Sequence, residues 1–391
     1  MAPPFLRDRA DDGALRVTNI ELFFDLVYVF AFTQLSDFLF DELTLRGALE
    51  ALILFLAVWQ AWSYTAWATN WLDPARGSGA LLMVVLIVLS LVMAAAIPRA
   101  FEDRGLQFAA SYVALQLVRS AFMVGAFPRG DQMRRNFAQL LSWSAIAGVA
   151  WIVGATALDG HARLLAWGVA VVLDVAAPVH GYRLPRAGRT PIEAWSLAGS
   201  HLAERSQLVL MIALGESVLR VGLTFSMKNG SPAVDAAFLV GFVAALSLWA
   251  TYFLHTAERG AQAIAAETAS RIGRAAYNYA HAVMVAGVIV VAVGIHEAIE
   301  APTESADVGA TAVILGGPAL YLTGLALFKR WVGQSRLTPP IAAVVALAAL
   351  LLAVAVAPVD AERLLLAGCA TVVLAALAVG TALGVDEPRA R

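Results

Sequence analysis

The chain has 391 residues, of which 60% are hydrophobic and only 14% charged, against roughly 25% charged in an ordinary soluble domain. Its charges fall in short stretches between long apolar runs, which excludes a single soluble core and places the chain among membrane proteins. The net charge of −2 excludes nucleic acid as a partner, and the lone Cys369 excludes an internal disulfide or a CxxC metal site and reads as a small packing residue.

Residues 1–18 form a polar tail with Arg7, Asp8, Arg9, Asp11, Asp12 and Arg16. No small-residue cleavage site follows the first apolar run, which is expected to stay as a helix. Twelve runs are long enough to cross roughly 30 Å of hydrocarbon: 19–38, 46–68, 79–97, 106–126, 137–157, 162–179, 199–222, 233–254, 277–297, 308–328, 339–357 and 361–384. Their length, and the need to satisfy every backbone group inside a bilayer, require helices. The expected fold is therefore all-α: a polytopic integral membrane bundle of about twelve transmembrane helices. The expected organisation is a tail at 1–18, a first membrane half at 19–198, a second at 199–384 and a C-terminal tail at 385–391.

Arginine distribution orients the spans. With the N-terminus inside, the inner segments carry Arg7, Arg9, Arg16, Arg76, Arg129, Arg134, Arg135, Arg183, Arg186, Arg189, Arg259, Arg271, Arg274, Lys329, Arg330, Arg336, Arg389 and Arg391. The outer loops carry Arg46, Arg99, Arg104, Arg163, Lys228 and Arg363, an imbalance of about three to one. Both termini are accordingly expected in the cytoplasm. The outer loop with Glu300, Glu304 and Asp307 is acidic, and His296 and Glu297 at its edge are expected to be solvated.

Weak echoes link the two sets of six spans. Trp62-Ser-Tyr64 in the second span matches Trp249-Ala-Thr-Tyr252 in the eighth, and Tyr112 with Arg119 in the fourth matches Tyr321 with Lys329-Arg330 in the tenth. Six spans per half would make a parallel repeat, related by an axis along the membrane normal; the alternative is coincidence among apolar, alanine-rich helices.

Ionisable groups within the spans carry the most information, because an Asp, Arg or Lys at mid-bilayer costs about 2.5–3.5 kcal/mol and normally faces the bundle interior with a partner. The first span holds Glu21 and Asp25 on one face, with Ser36 on nearly the same face and Gln34 near its end. Two stacked carboxylates can share a proton or a cation. The plain structural alternative for Glu21 is an acid complementing the helix dipole, which reaches Asp25 less well. The seventh span holds His201, Glu204 and Arg205 on one side, and Glu216 eleven residues beyond Arg205. Arg205 is the natural partner of a carboxylate in its own span or in the first, and the alternative is a salt-bridge network that only fixes packing. Secondary candidates are Tyr64, Arg119, Asp174, Asn278 and His281. A histidine near a helix end, such as His281, is more often an interfacial hydrogen-bonder than a ligand. Trp59 and Trp62 sit too deep for an interfacial belt and are candidates to line a pocket.

No P-loop, no GxGxxG in strand context and no HExxH occur. No cofactor is expected, and His201 with Glu204 is too few ligands for a metal.

The stretch Val17-Thr-Asn-Ile-Glu-Leu-Phe-Phe-Asp-Leu-Val-Tyr-Val-Phe-Ala-Phe-Thr-Gln-Leu-Ser36 resembles the N-terminal signature of the low temperature requirement protein A (LtrA) family. His201-Leu-Ala-Glu-Arg205, followed by Ile212-Ala-Leu-Gly-Glu-Ser217, resembles the family's second charged segment. The resemblance implies a bacterial multi-pass protein whose family is named for growth in the cold. It maps the family's charged signature onto Glu21, Asp25, His201, Glu204, Arg205 and Glu216, and names no substrate.

The leading functional reading is a secondary transporter or permease in the bacterial plasma membrane, in which Glu21, Asp25, Glu204 and Glu216 carry protons or cations, Arg205 balances charge and His201 relays protons. Its partners would be the lipid bilayer and a small ion or solute. Two other readings stay open: an intramembrane lipid-modifying enzyme using His201 and Glu204, the less favoured class because no complete catalytic set is visible, and a sensor or structural membrane protein.

Overall fold

The computed structural model describes residues 5–7, 16–185, 188–266, 269–334, 337–356 and 360–383. Arg9, Arg186, Arg336, Arg389 and Arg391 of the orientation argument lie outside them, as do most of the 1–18 tail and the 385–391 tail. Among the described residues only helices and isolated bridges form, and twelve helical segments are long and apolar enough to cross a membrane.

The helices are α1 (Asn19–Asp41), α2 (Leu45–Ala68), α3 (Gly77–Ala96), α4 (Gly105–Ala126), α5 (Gln132–Ala157), α6 (Gly160–Val179), α7 (Gly199–Ser226), α8 (Pro232–Phe253), α9 (Thr256–Ala266), α10 (Ala269–Ile272), α11 (His281–Glu300), α12 (Val308–Trp331), α13 (Thr338–Val356) and α14 (Arg363–Ala382). The largest shift from expectation is the start of α5. Asp131 caps it by accepting the Met133 N–H at 2.7 Å, so the polar residues 132–136 wind as its first turn. The expected 255–276 connection also holds helices among its described residues: α9, the short α10 and a π-helical stretch over Gly273–Ala280 that leads into α11.

Two compact units make up the chain. The first comprises Met1–Phe38, Arg46–Arg205 and Thr268–Gly273. Within it α3, α4, α5 and α6 pack as successive antiparallel neighbours. Arginines close their turns: Arg134 donates to the Val124 and Phe127 carbonyls at the end of α4, and Arg163 to those of Gly154 and Leu158 at the end of α5. Arg163 is therefore buried rather than a loop charge. Large apolar side chains such as Leu81, Val88, Val149, Leu165 and Val172 face outward while arginines and aspartates lie inside. This inside-out distribution suits a lipid solvent. Cys369 is likewise exposed on α14, not packed.

The second unit comprises Leu39–Leu45, Ser206–Glu267 and Arg274–Arg391. Its tightest contact joins α11 to α12 through glycines spaced seven apart on both helices, Gly287 and Gly294 against Gly317 and Gly324. A Cβ on Gly317 would sit 2.7 Å from the Val291 nitrogen, and one on Gly294 would sit 2.9 Å from the Ile314 Cα. Small residues are the usual means by which membrane helices bring their backbones together. Two expectations are corrected in this unit. Glu297 is buried, because α11 runs past it and Arg363 of α14 pairs with it at 2.9 Å, and His296 is half-buried, stacked on Phe40 at 3.8 Å. Lys329 is buried in the last turn of α12.

Gly317→Val should lower stability by about 1–3 kcal/mol through overpacking. Gly316→Ala, whose Cβ meets nothing within 4 Å, should be neutral or gain up to about 1 kcal/mol from helix propensity. Thermal unfolding of the purified protein compares them, and equal melting temperatures would contradict the close approach.

Candidate functional site: a buried charge network

The first unit's site begins with a helix cap. Thr18 precedes α1, and Glu21, three residues on, reaches back so that its Oε2 accepts both the Thr18 backbone N–H and its hydroxyl at 2.8 Å. This is the glutamate half of a capping box, and its Thr-x-x-Glu spacing is readable in the sequence. The same Oε2 accepts from Arg7 Nη2 at 3.2 Å. Residues 5–7 pair with 71–73, and the Arg7 Nε–H donates to the Leu72 carbonyl at 2.9 Å, which holds the guanidinium there. Arg7 is thus part of the network rather than a solvated tail charge.

The starts of α1 and α7 lie side by side and run in the same direction. The third residue of each forms one rung: His201 Nε2 lies 2.9 Å from Glu21 Oε1. The seventh residue of each forms the next: Arg205 donates through Nη2 to Asp25 Oδ1 at 2.6 Å and through Nε to Oδ2 at 3.2 Å. Arg205 Nη1 crosses between the rungs to Glu21 Oε1 at 3.0 Å and also meets Thr69 Oγ1 at 3.3 Å. At 1.5 Å per residue the upper rung lies about 9 Å from the helix starts. Glu21, Asp25, His201 and Arg205 are all fully buried.

Helix α2 and the segment after it complete the shell. The Trp62 indole N–H donates to Asp25 Oδ1 at 2.8 Å. Asn70 holds both polar groups of Ala198, accepting its N–H at 2.6 Å and donating to its carbonyl at 3.0 Å. That fixes the Asn70 amide, whose Nδ2 also faces His201 Nδ1 at 3.4 Å. With the Asn70 amide donating to Nδ1, Nε2 is the nitrogen that donates to Glu21, and Arg7 Nη2 lies 3.4 Å from that same Nε2. Two carboxylates face two guanidiniums, so the cluster is charge-balanced.

Glu204 does not join this group. It is exposed, and its Oε2 accepts the Val17 N–H at 3.3 Å. Relative to His201, a residue at i+3 lies about 60° to one side and one at i+4 about 40° to the other, so Arg205 turns inward and Glu204 outward. Glu216 lies in the second unit, buried, with Arg220 of its own helix at 3.3 Å. Gln34 is half-buried and Ser36 buried on α1.

A second polar cluster occupies the first unit. Asp174 Oδ2 accepts from the Tyr112 hydroxyl at 2.8 Å and from the Trp151 indole at 3.3 Å, while its backbone carbonyl accepts from Gln60 and Tyr64. Gln116 donates to the Tyr112 oxygen at 2.9 Å and accepts from Arg119. Arg119, wholly buried, also donates to Thr65 Oγ1 at 3.3 Å and lies over the Tyr64 ring at 5.4 Å. Asp174 and Arg119 are thus linked through Tyr112 and Gln116.

In the second unit His281 is fully buried, not interfacial. Its Nδ1–H donates to the Ala276 carbonyl at 2.9 Å, which leaves Nε2 to accept from the Tyr252 hydroxyl at 2.9 Å. Tyr277 stacks on the imidazole with centroids 5.2 Å apart, and Asn278 is buried one turn away. Among the described residues no group of three or more His, Cys, Asp or Glu side chains is arranged to hold a metal ion.

Twelve helices long and apolar enough to cross a membrane among the described residues, with charges buried and paired inside each unit, define a multi-pass membrane protein. The sequence profile of the bacterial low temperature requirement A protein (LtrA) matches residues 16–379, and the chain belongs to that family. It is similar to an uncharacterized protein of Rhizobium meliloti (strain 1021), 37% identical over 316 residues, which cover 79% of this chain and 76% of that protein. No solved structure matches.

Replacing one partner of a buried ion pair leaves an uncompensated charge, at a cost of about 3–5 kcal/mol. Arg205→Met should show that loss in thermal unfolding, and adding Asp25→Asn should recover part of it, a coupling that a double-mutant cycle reads directly. Glu204→Gln, on the exposed side, should stay within about 0.5 kcal/mol of the parent.

Proposed function

We propose that the protein is a proton- or cation-coupled permease whose coupling element is Glu21, Asp25, Arg205 and His201. The observation that carries this reading is the Arg205 guanidinium shared between two carboxylates within membrane-spanning helices, with a histidine N–H on the same Glu21 oxygen. In a low-dielectric interior a proton added to either carboxylate upsets a balanced cluster. Protonating Asp25 removes the charge that holds the Arg205 fork, leaving Glu21 as the sole carboxylate on that guanidinium. The freed turn of α7 is then the element that moves. His201, with its proton facing Glu21, is placed to pass it on.

Glu216, buried beside Arg220, is a second candidate carrier. An enzyme built on His201 and Glu204 is the weaker reading, because those two side chains diverge. The same reading places both termini in the cytoplasm and the protein in the bacterial plasma membrane, supported by the arginine distribution. It treats 19–198 and 199–384 as two halves opened by α1 and α7, which start in parallel.

The test is flux in proteoliposomes. Wild-type protein should pass protons, sodium or potassium down an imposed gradient. Asp25→Asn and Glu21→Gln should reduce that flux at least tenfold while eluting as folded protein, and Glu204→Gln should leave it unchanged. Undiminished flux in both carboxylate variants, or no flux of any of these ions through the folded wild type, overturns the proposal.

A further inference from the structure

The end of the first unit that carries the start of α5 and the end of α6 also holds a cleft of about 560 Å³. Gln132, Arg135, Gln139 and Ser142 of α5 line one wall, and Leu184, Arg189 and Thr190 of the following segment line the other. The volume lies in the range of small-ligand sites. Its lining holds two cations and no acid. Arg135 Nη2 donates to Gln132 Oε1 at 2.7 Å, a neutral partner that orients the guanidinium without cancelling its charge. Among the described residues neither Arg135 nor Arg189 is paired with a carboxylate. The acids nearby are engaged elsewhere: Asp131 caps α5, and Glu193 pairs with Arg271 at 3.0 Å. Exposed Arg129 and Arg183 add positive charge at the same end. Arg134, by contrast, is spent on the α4 carbonyls, so Arg135 is the member of that pair presented to the cleft.

Guanidiniums with free N–H groups match phosphate oxygens in charge and in geometry. Basic pockets between membrane helices at the interface are suited to phosphate-bearing head groups. We infer that this cleft binds a phosphate-bearing anion, gripped by Arg135 and Arg189, with Leu184 and Ala138 against the organic part of the ligand. The site shares no residue with the Glu21–Asp25–Arg205 network, and its test is independent of any flux.

Full-length protein in phosphatidylcholine nanodiscs is titrated separately with inorganic phosphate and with dioctanoyl phosphatidic acid. Saturable binding is expected, weakened by raised salt and at least tenfold by R135Q/R189Q, with R135K/R189K keeping part of it. Tight binding of the lipid with feeble binding of inorganic phosphate identifies a lipid head group, and comparable binding of both identifies soluble phosphate. Because Arg189 makes no hydrogen bond among the described residues, R189Q alone supplies a folded variant in which at least a threefold loss is expected. No saturable binding of either probe by the folded wild type, or undiminished binding in R135Q/R189Q or R189Q, overturns the inference.

Discussion

A guanidinium in hydrocarbon is tolerable only when its charge and its N–H groups are met, and Arg205 organises the first unit through that requirement. Its three nitrogens reach Asp25, Glu21 and Thr69. To present those oxygens, α1 must start beside α7, α2 must pass close enough for Trp62 and Thr69, and residues 5–7 must fold back to bring Arg7 to Glu21. Each contact is ordinary on its own. Together they fix the entry of two helices and the path of the N-terminal segment, because none of the groups has water to fall back on.

Helix α2 is the common wall of both polar clusters in that unit. Trp62, with Thr69 just past its end, serves Asp25 and Arg205, while Gln60, Tyr64 and Thr65 serve Asp174 and Arg119. It is buried almost continuously from Ile53 to Ala68, as expected of a helix with no solvent or lipid face over that length. The clusters handle charge differently. The first pairs opposite charges directly, whereas the second separates Asp174 from Arg119 by a tyrosine and a glutamine. Direct pairing gives the larger electrostatic stabilisation, and a bridged pair keeps its members further from mutual neutralisation.

The twelve helices and the inner charges were legible because hydrocarbon punishes polarity uniformly, so any Asp or Arg deep in an apolar run stands out. Glu21, Asp25, His201 and Arg205 were found that way. Other placements depend on local geometry that the sequence does not announce. Glu204 shares a heptad neighbourhood with His201, yet the helical angle turns it to the other side. Glu297 sat at the edge of an apolar run, and only the placement of Arg363, far along the chain, buries it. In the sequence Arg7 is one of many tail charges, since its role depends on a short pairing with residues 71–73 that no periodicity announces. Thr18 was available as the first member of a capping box. The π-helical stretch before His281 leaves no periodic signature in eight residues.

The seven-residue glycine spacing shared by α11 and α12 makes their contact behave like a toothed rack. Sliding one helix by a single turn would drive side chains into the opposite backbone, and the glycines come back into register only after two turns, about 10.5 Å. A movement of that size would carry the polar ends of both helices into hydrocarbon. A register change between α11 and α12 is therefore the movement this contact resists most strongly.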